Sequence, residues 1–140
     1  MTYYAVIDTN VIVSSMLKAD SIPGSIINYV ESNVIVPLLS EEIINEYVEV
    51  LTRNKFEIAH DKVMEMISII KSKGIVLKRE QTLEDFVDKD DIVFFEIVMS
   101  ARQTMDAYLV TGNMKHYPIR SYVVTPREMI DIIEREKETN

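Results

Sequence analysis

The chain has 140 residues, enough for one domain with a buried core, and its lack of cysteine excludes disulfides and thiolate metal sites. Its formal net charge of −8 argues against nucleic-acid binding by bulk electrostatic attraction, although carboxylates gathered around a divalent cation would reverse the local sign. The opening MTYYAVID lacks the features of a secretory signal, and no apolar stretch approaches the roughly 20 residues of a membrane-spanning helix. We therefore expect a cytoplasmic protein without membrane association.

The first half of the chain predicts short apolar strands that alternate with helices. Residues 3–7 read as a buried strand, and a helix follows over about residues 11–17. The segment SIPGS opens a second helix, and residues 34–36 predict a second strand that ends at Pro37. Ser40 is the expected N-cap of a third helix, EEIINEYVEVLTR, whose apolar residues recur at helical spacing.

The second half repeats this alternation. KVMEMISIIKSK predicts a helix that ends at Gly74, DIVFFEIVMSAR a deeply packed helix, and Thr125 with Pro126 the start of a last helix. IVLK, AYLVT and YVV are the intervening strands. We expect one domain over residues 1–140 with a three-layer α/β/α fold and a short, mainly parallel sheet. In such a sheet the functional crevice lies beyond the carboxyl ends of the strands.

Asp8 is the first candidate for that crevice, because it directly follows the first predicted strand. Asp8 or the nearby Asn10 could instead satisfy the free N–H groups of the following helix as an N-cap. The local sequence leaves both interpretations open.

Glu46 is the acid of the third helix that lies nearest its apolar stripe. On a helical wheel it falls roughly 40° beyond the edge of that stripe at Val50, closer than the other polar residues of the helix. It is therefore the carboxylate expected to tilt toward the sheet. A solvated helix face is the alternative interpretation.

Two further acids, Asp90 and Asp91, stand immediately before the buried helix. Capping and the helix dipole favour a carboxylate at this position. Two successive acids exceed what one cap requires, and this excess favours a metal site.

Thr111 and Asn113 follow the strand AYLVT and occupy another carboxyl end. Asp106 is charged, but it precedes the strand and should lie roughly 20 Å away at the opposite edge of the sheet. Geometry therefore favours Asn113 as the site residue. Neither His60 nor His116 has a second histidine at metal-ligand spacing, which argues against zinc.

The order of these positions resembles that of the PIN-domain ribonucleases, and especially the branch of toxin components of toxin–antitoxin pairs. The resemblance covers nearly the whole chain. It consists of V-I-D-T-N-V, a helix with E-x-x-x-E, D-D before a buried helix, Y-L-V-T-G-N followed by K-H-Y-P, and a closing V-T-P-R-E. The opening DTN and the stretch TGN-x-KHYP are its most specific parts.

The resemblance implies that Asp8, Glu46 and Asp91 are catalytic metal-binding acids. Asn113 stands where many members of the family have a fourth acid, and this departure should weaken the metal site or reduce it to one ion. Asp90 is the residue expected to compensate.

The implied activity is that of a metal-dependent endoribonuclease. Oxygen ligands suit Mg²⁺ or Mn²⁺, and a water made more acidic by the ion would attack the phosphodiester. Asn10 and Thr111 match residues that support the metal ligands. Single-stranded RNA is the expected substrate, and an antitoxin protein and a second copy of the chain are the candidate partners. The candidate RNA-backbone contacts are Arg53, Lys55, Arg102, Lys115 and His116.

Two alternatives remain at this stage. One is an aspartate-nucleophile phosphohydrolase, but its general acid two residues after the nucleophile is here Asn10. The other is a catalytically weak or inactive PIN-like binding module, favoured by Asn113 and by the negative charge.

Overall fold

The computed structural model describes residues 1–78 and 91–139. Within these residues the chain forms strands and α-helices in alternation, together with two short 3₁₀ turns at Asn54–Phe56 and Met114–His116. In chain order, the strands and α-helices are β1 (Tyr3–Ile7), α1 (Thr9–Leu17), α2 (Ile22–Glu31), β2 (Ile35–Leu39), α3 (Glu41–Leu51), α4 (His60–Lys73), β3 (Ile75–Val76), α5 (Ile92–Ala101), β4 (Ala107–Val110), β5 (Val123–Val124) and α6 (Pro126–Thr139).

The described strands form a parallel sheet in the order β3-β2-β1-β4-β5. The chain adds β2 and β3 on one side of β1 and then returns to add β4 and β5 on the other. The strand order therefore reverses between β1 and β4, and the crevice beyond their carboxyl ends is where such sheets bind ligands. The predicted three-layer α/β/α fold with a short parallel sheet is confirmed.

The deepest part of the core lies between the sheet and α5. This helix packs against β1, β2 and β4, and its residues Phe94, Phe95, Ile97 and Val98 are buried. A second group of helices packs together through α2, which contacts α1 and α6. Across residues 1–78 and 91–139, no helix has both the length and the apolar character required to span a bilayer.

Side chains predicted to begin helices do so in the structure. The Ser40 hydroxyl accepts a hydrogen bond from the Ile43 N–H at 3.1 Å and caps α3. Thr125 and Glu128 form a reciprocal capping box at the start of α6. The Glu128 N–H donates to Thr125 Oγ1 at 3.1 Å, and the Thr125 N–H donates to Glu128 Oε1 at 2.9 Å.

The predicted end of the second strand at Pro37 is wrong, because β2 continues through Pro37 to Leu39. The Leu39 carbonyl accepts a hydrogen bond from the Leu77 N–H at 2.7 Å, on the side of β3. The backbone N–H and C=O groups of alternate residues in a strand point toward the same neighbouring strand. The backbone nitrogen of Pro37, which carries no hydrogen, therefore also points toward β3. Since β3 pairs only with Leu38 and Leu39, the missing donor falls outside the paired part of β2.

Replacing the buried cap of α3 tests its contribution to stability. We expect Ser40→Ala to lower the free energy of unfolding by about 1 kcal/mol, because the Ile43 N–H loses its acceptor. Urea denaturation measures this difference, with Ser68→Ala on the exposed surface of α4 as the matched control. Equal stability of the two variants would contradict the prediction.

Candidate functional site

The register of the sheet brings Asp8 beside Thr111. Ile7 of β1 pairs with Val110 of β4, so the next residue of each strand emerges at the same edge. The Asp8 N–H donates to the Val110 carbonyl at 2.9 Å, which extends the ladder by one step. Two polar residues from distant parts of the sequence thus meet at the carboxyl edge of the sheet.

The carboxylate of Asp8 is buried and accepts hydrogen bonds from three side chains. Its Oδ2 lies 2.8 Å from Thr111 Oγ1, 3.0 Å from the Tyr117 hydroxyl and 3.3 Å from Asn10 Nδ2. Asp8 occupies the N-cap position of α1, yet among the described residues its side chain makes no capping hydrogen bond. Asp8 therefore forms no side-chain N-cap bond to a described residue, although a hydrogen bond from the backbone N–H of Thr9, the first residue of α1, also stabilises its carboxylate.

Burial raises the pKa of Asp8 above its ordinary value, since it penalises the charged carboxylate. The hydrogen bonds from Thr111 and Tyr117 act in the opposite direction, because they stabilise the charge. Burial also raises the pKa of Tyr117, which keeps its hydroxyl protonated as a donor. The site thus contains a buried acid whose charged form would be stabilised by a nearby positive charge.

Asp91 reaches the same hydroxyl from the start of α5. Its Oδ1 lies 3.5 Å from the Tyr117 hydroxyl, and its Oδ2 lies 2.8 Å from His116 Nδ1. Asp91 stands at the N-cap position of α5, but within the described part of the chain its side chain forms no N-cap hydrogen bond. Tyr117 therefore links the two acids, and His116 holds the second one.

His116 connects Asp91 to Asn113. The amide Nδ2 of Asn113 lies 3.0 Å from His116 Nε2, and amide nitrogens only donate hydrogen bonds. This network assigns Nε2 as the acceptor and places the imidazole proton on Nδ1, toward Asp91. His116, predicted as an RNA contact, thus lies inside the acidic cluster.

The predicted supporting residues lie in contact with Asp8. Asn10 uses both ends of its amide: Nδ2 faces Asp8, and Oδ1 accepts from the Gly112 N–H at 3.0 Å. Thr111 Oγ1 also accepts from the Asn113 N–H at 2.9 Å while it donates to Asp8. These bonds fix the turn after β4 against the start of α1. A supporting role in catalysis stays a prediction.

Glu46 lies half-buried on α3, next to Tyr47. Tyr47 anchors this helix, because its hydroxyl donates a hydrogen bond to the Ile7 carbonyl and the centroid of its ring lies 6.2 Å from the centroid of the Phe94 ring. However, within residues 1–78 and 91–139 no three histidine or acidic side chains converge at metal-binding distance. The structure thus links Asp8 with Asp91, and the metal role of Glu46 stays a prediction. Asp90 lies outside the described residues.

Two of the predicted RNA contacts, Arg53 and Lys55, follow the end of α3. Arg53 pairs with Glu49 through two hydrogen bonds, at 2.8 and 3.3 Å. The Lys55 ammonium lies 5.1 Å from the centroid of the Phe56 ring. Both side chains are exposed, and neither makes a described contact with the Asp8 cluster.

The other basic candidates lie at opposite ends of β4. Arg102 donates to Asp106 at 3.1 Å and to the Ala107 carbonyl at 2.6 Å, which places it at the amino end of the strand. Asp106 occupies the same end, as its position before the strand predicts. Lys115 is exposed on the 3₁₀ turn that also carries His116, at the carboxyl end. Among the predicted RNA contacts, Lys115 and His116 lie on the segment that forms the site.

Sequence reasoning did not identify Tyr117 as a site residue. The only available signal was its place in the K-H-Y-P stretch, because a tyrosine outside a strand or helix carries no periodicity. Its role follows from the 3₁₀ turn, which ends at His116 and brings the next side chain over Asp8.

We expect Tyr117→Phe to destabilise the protein in the presence of chelator by about 1 kcal/mol, because Asp8 loses a buried donor. Urea denaturation provides the measurement. Tyr122→Phe, at the amino end of β5, is the matched control. The prediction fails if both variants unfold at the same urea concentration as the parent protein.

The fold and these contacts define an α/β protein with an acidic site at the switch point of its sheet. Residues 4–115 match the family model of the PIN domain. The match covers well over half of the chain, so the protein belongs to the PIN domain family, whose members are typically nucleases and generally use divalent metal ions. A search of curated proteins gave no match.

The donors of this crevice fit a hard divalent cation. Asp8 Oδ2 and Asp91 Oδ1 lie 3.0 and 3.5 Å from the same Tyr117 hydroxyl, so two carboxylates, whose oxygens are ligands that such a cation prefers, face one point of the crevice. Mg²⁺ is commonly held by one or two carboxylates and keeps several waters. Burial raises the pKa of Asp8, and a cation would favour its charged form.

Proposed function

We propose that this protein is a divalent-metal-dependent endoribonuclease that acts as a single PIN-like domain. The observation that carries the proposal is the convergence of Asp8 and Asp91 on the Tyr117 hydroxyl, beyond the carboxyl ends of β1 and β4. Family membership supports nuclease activity in general. The acid pair supports a proposed location for that activity, at the carboxyl edge of the sheet.

In this proposal Asp8, Asp91 and Glu46 would hold Mg²⁺ or Mn²⁺, and Asn113 would support the site through its 3.0 Å contact with His116. When bound, the cation supplies charge neutralisation at the phosphate and lowers the pKa of water. Thr111 orients the Asp8 carboxylate through its 2.8 Å hydrogen bond. His116 fixes Asp91 in the same way, at 2.8 Å.

Single-stranded RNA is the substrate that we propose, because its phosphates reach a recessed site more readily than those of a duplex. Lys115 is the exposed cation placed to approach the RNA backbone. The motifs DTN and TGN-x-KHYP support a toxin role with an antitoxin protein as partner, and we further propose a cytoplasmic location and self-association. These finer assignments rest on the resemblance of the motifs.

Metal dependence tests the proposed activity. We expect the purified protein to cleave single-stranded RNA with Mg²⁺ or Mn²⁺, to lose cleavage in excess chelator, and to regain it when either ion is restored. A duplex of the same sequence should be cleaved more slowly. Cleavage that persists in chelator would contradict a metal-dependent mechanism.

An inactive binding module is the second candidate, and two observations favour it. Asn113 replaces an acid, and the described residues contain no three-carboxylate cluster. Titration with Mn²⁺ distinguishes the two, because an ion that binds the folded state raises Tm. Stabilisation of the parent protein that is lost in Asp8→Asn supports the nuclease, and negligible stabilisation of both supports the binding module.

The aspartate-nucleophile alternative has its own test. A phosphohydrolase of that type forms an acid-labile aspartyl phosphate, whereas attack by water leaves no covalent intermediate. We expect phosphate trapping on Asp8 to fail.

A further inference from the structure

A small pocket lies beside the acid pair, between the start of α1 and the start of α6. Its volume is about 270 Å³, and its walls include Asn10, Ser14, Pro23, Asn113 and Pro126. The proposed hydrolysis assigns no role to Ser14 or to the two prolines. The pocket is therefore a feature that the acid pair does not explain.

Two residues of the pocket wall, Asn10 and Asn113, connect the pocket to Asp8. Asn10 Nδ2 lies 3.3 Å from Asp8 Oδ2, and the Asn113 N–H donates to Thr111 Oγ1, which in turn donates to Asp8. A group bound in the pocket would consequently be separated from Asp8 only by the side chain of Asn10. The pocket thus lies beside the position that an RNA phosphate at the acid pair would occupy.

The lining selects a neutral ligand. No acidic or basic side chain forms part of the described pocket wall, so a phosphate or a cation would find no charged partner there. The partly exposed ring of Pro23 offers apolar surface to a planar heterocycle, and the buried Pro126 closes the wall behind it. An aspartate at position 113 would place a charge in this wall, and Asn113 keeps it neutral.

Two polar groups of the wall are placed to fix a heterocycle. The amide nitrogen of Asn113 is used by His116, so its carbonyl oxygen is the acceptor that remains for a ligand N–H group. Ser14 is exposed and presents a hydroxyl from α1. Asn10 already uses both ends of its amide within the site. The pocket thus combines one apolar face, at Pro23, with one acceptor and one hydroxyl.

We propose that this pocket binds the nucleobase of the nucleotide next to the scissile phosphate, with Asn113 as the acceptor for a base N–H group. This inference rests on the proposed nuclease function and adds a base subsite to it. It makes Ser14 and Asn113 determinants of base preference.

Blocking the pocket from its exposed side tests the subsite. We expect Ser14→Trp to lower kcat/KM for single-stranded RNA at least tenfold more than it lowers kcat/KM for bis(p-nitrophenyl) phosphate, a diester without a base. Ser72→Trp, exposed on α4, should leave both values unchanged. Equal changes for the two substrates would overturn the subsite and leave the nuclease proposal standing.

A binding measurement separates the subsite from catalysis. Adenosine and uridine are titrated into the metal-free protein while the methyl NMR signals of Val11, another wall residue, are followed. We expect saturable shifts with at least one nucleoside, no shifts with ribose, and loss of the shifts in Ser14→Trp. Absence of shifts with both nucleosides, or equal shifts with ribose, overturns the subsite. Nucleoside binding tests the subsite even if the parent protein cleaves neither RNA nor bis(p-nitrophenyl) phosphate. Such a lack of cleavage would refute the nuclease proposal but not the base-binding pocket.

Discussion

Asp8→Asn is expected to lower RNA cleavage on the order of 10³-fold, because it removes the buried negative charge that the proposed cation requires. The amide oxygen can still accept the hydrogen bonds that Thr111 and Tyr117 donate to Asp8. The substitution thus changes the charge while it preserves the shape of the site. Initial rates on single-stranded RNA at saturating Mn²⁺ give the measurement.

Asp106→Asn is the matched control for this substitution. Asp106 is exposed, pairs with Arg102 at the amino end of β4 and lies at the opposite edge of the sheet. The Asp106→Asn variant should retain full activity, and circular dichroism should show that both variants are folded. If Asp8→Asn cleaves RNA within tenfold of the parent rate, Asp8 is not the residue on which catalysis depends.

The positions of the strand ends could be predicted from the sequence, and they carried most of the information about the site. Asp8 and Thr111 each follow an apolar run, and a parallel register is sufficient to bring them together. The end of β2 could not be predicted in this way. Pro37 normally ends a strand, and whether it does so depends on how far the neighbouring edge strand extends.

Contacts made by irregular segments could not be predicted. Tyr117 and His116 reach the acids through a 3₁₀ turn, whose direction no periodic pattern encodes. Glu46 shows the limit of a helical wheel, which gives the face of a residue but not its distance from Asp8. Arg102 shows a related limit, since the strand that follows it sets which edge of the sheet it occupies.

The same Asp8→Asn substitution is expected to stabilise the protein in chelator at neutral pH. Burial raises the pKa of Asp8, so the folded state pays a penalty for its charge that the unfolded state does not. Replacing the acid with a neutral amide removes this penalty. We therefore expect the variant to unfold at a higher urea concentration and a higher Tm than the parent protein.

The pH dependence of this gain identifies its source. Because the folded-state pKa of Asp8 lies above its ordinary value of 3.8, folding binds protons between these two values, and the penalty grows as pH rises through that range. The gain of the variant should be full above the folded-state pKa and should vanish below about pH 3.8. Urea unfolding of both proteins in chelator, from pH 8 down to below pH 3.8, measures the difference. If the gain of Asp8→Asn stays constant down to the lowest pH at which both proteins fold, the gain comes from packing and not from the charge. If Asp8→Asn is instead less stable than the parent protein at pH 8, the charge of Asp8 stabilises the fold through the hydrogen bonds that its carboxylate accepts.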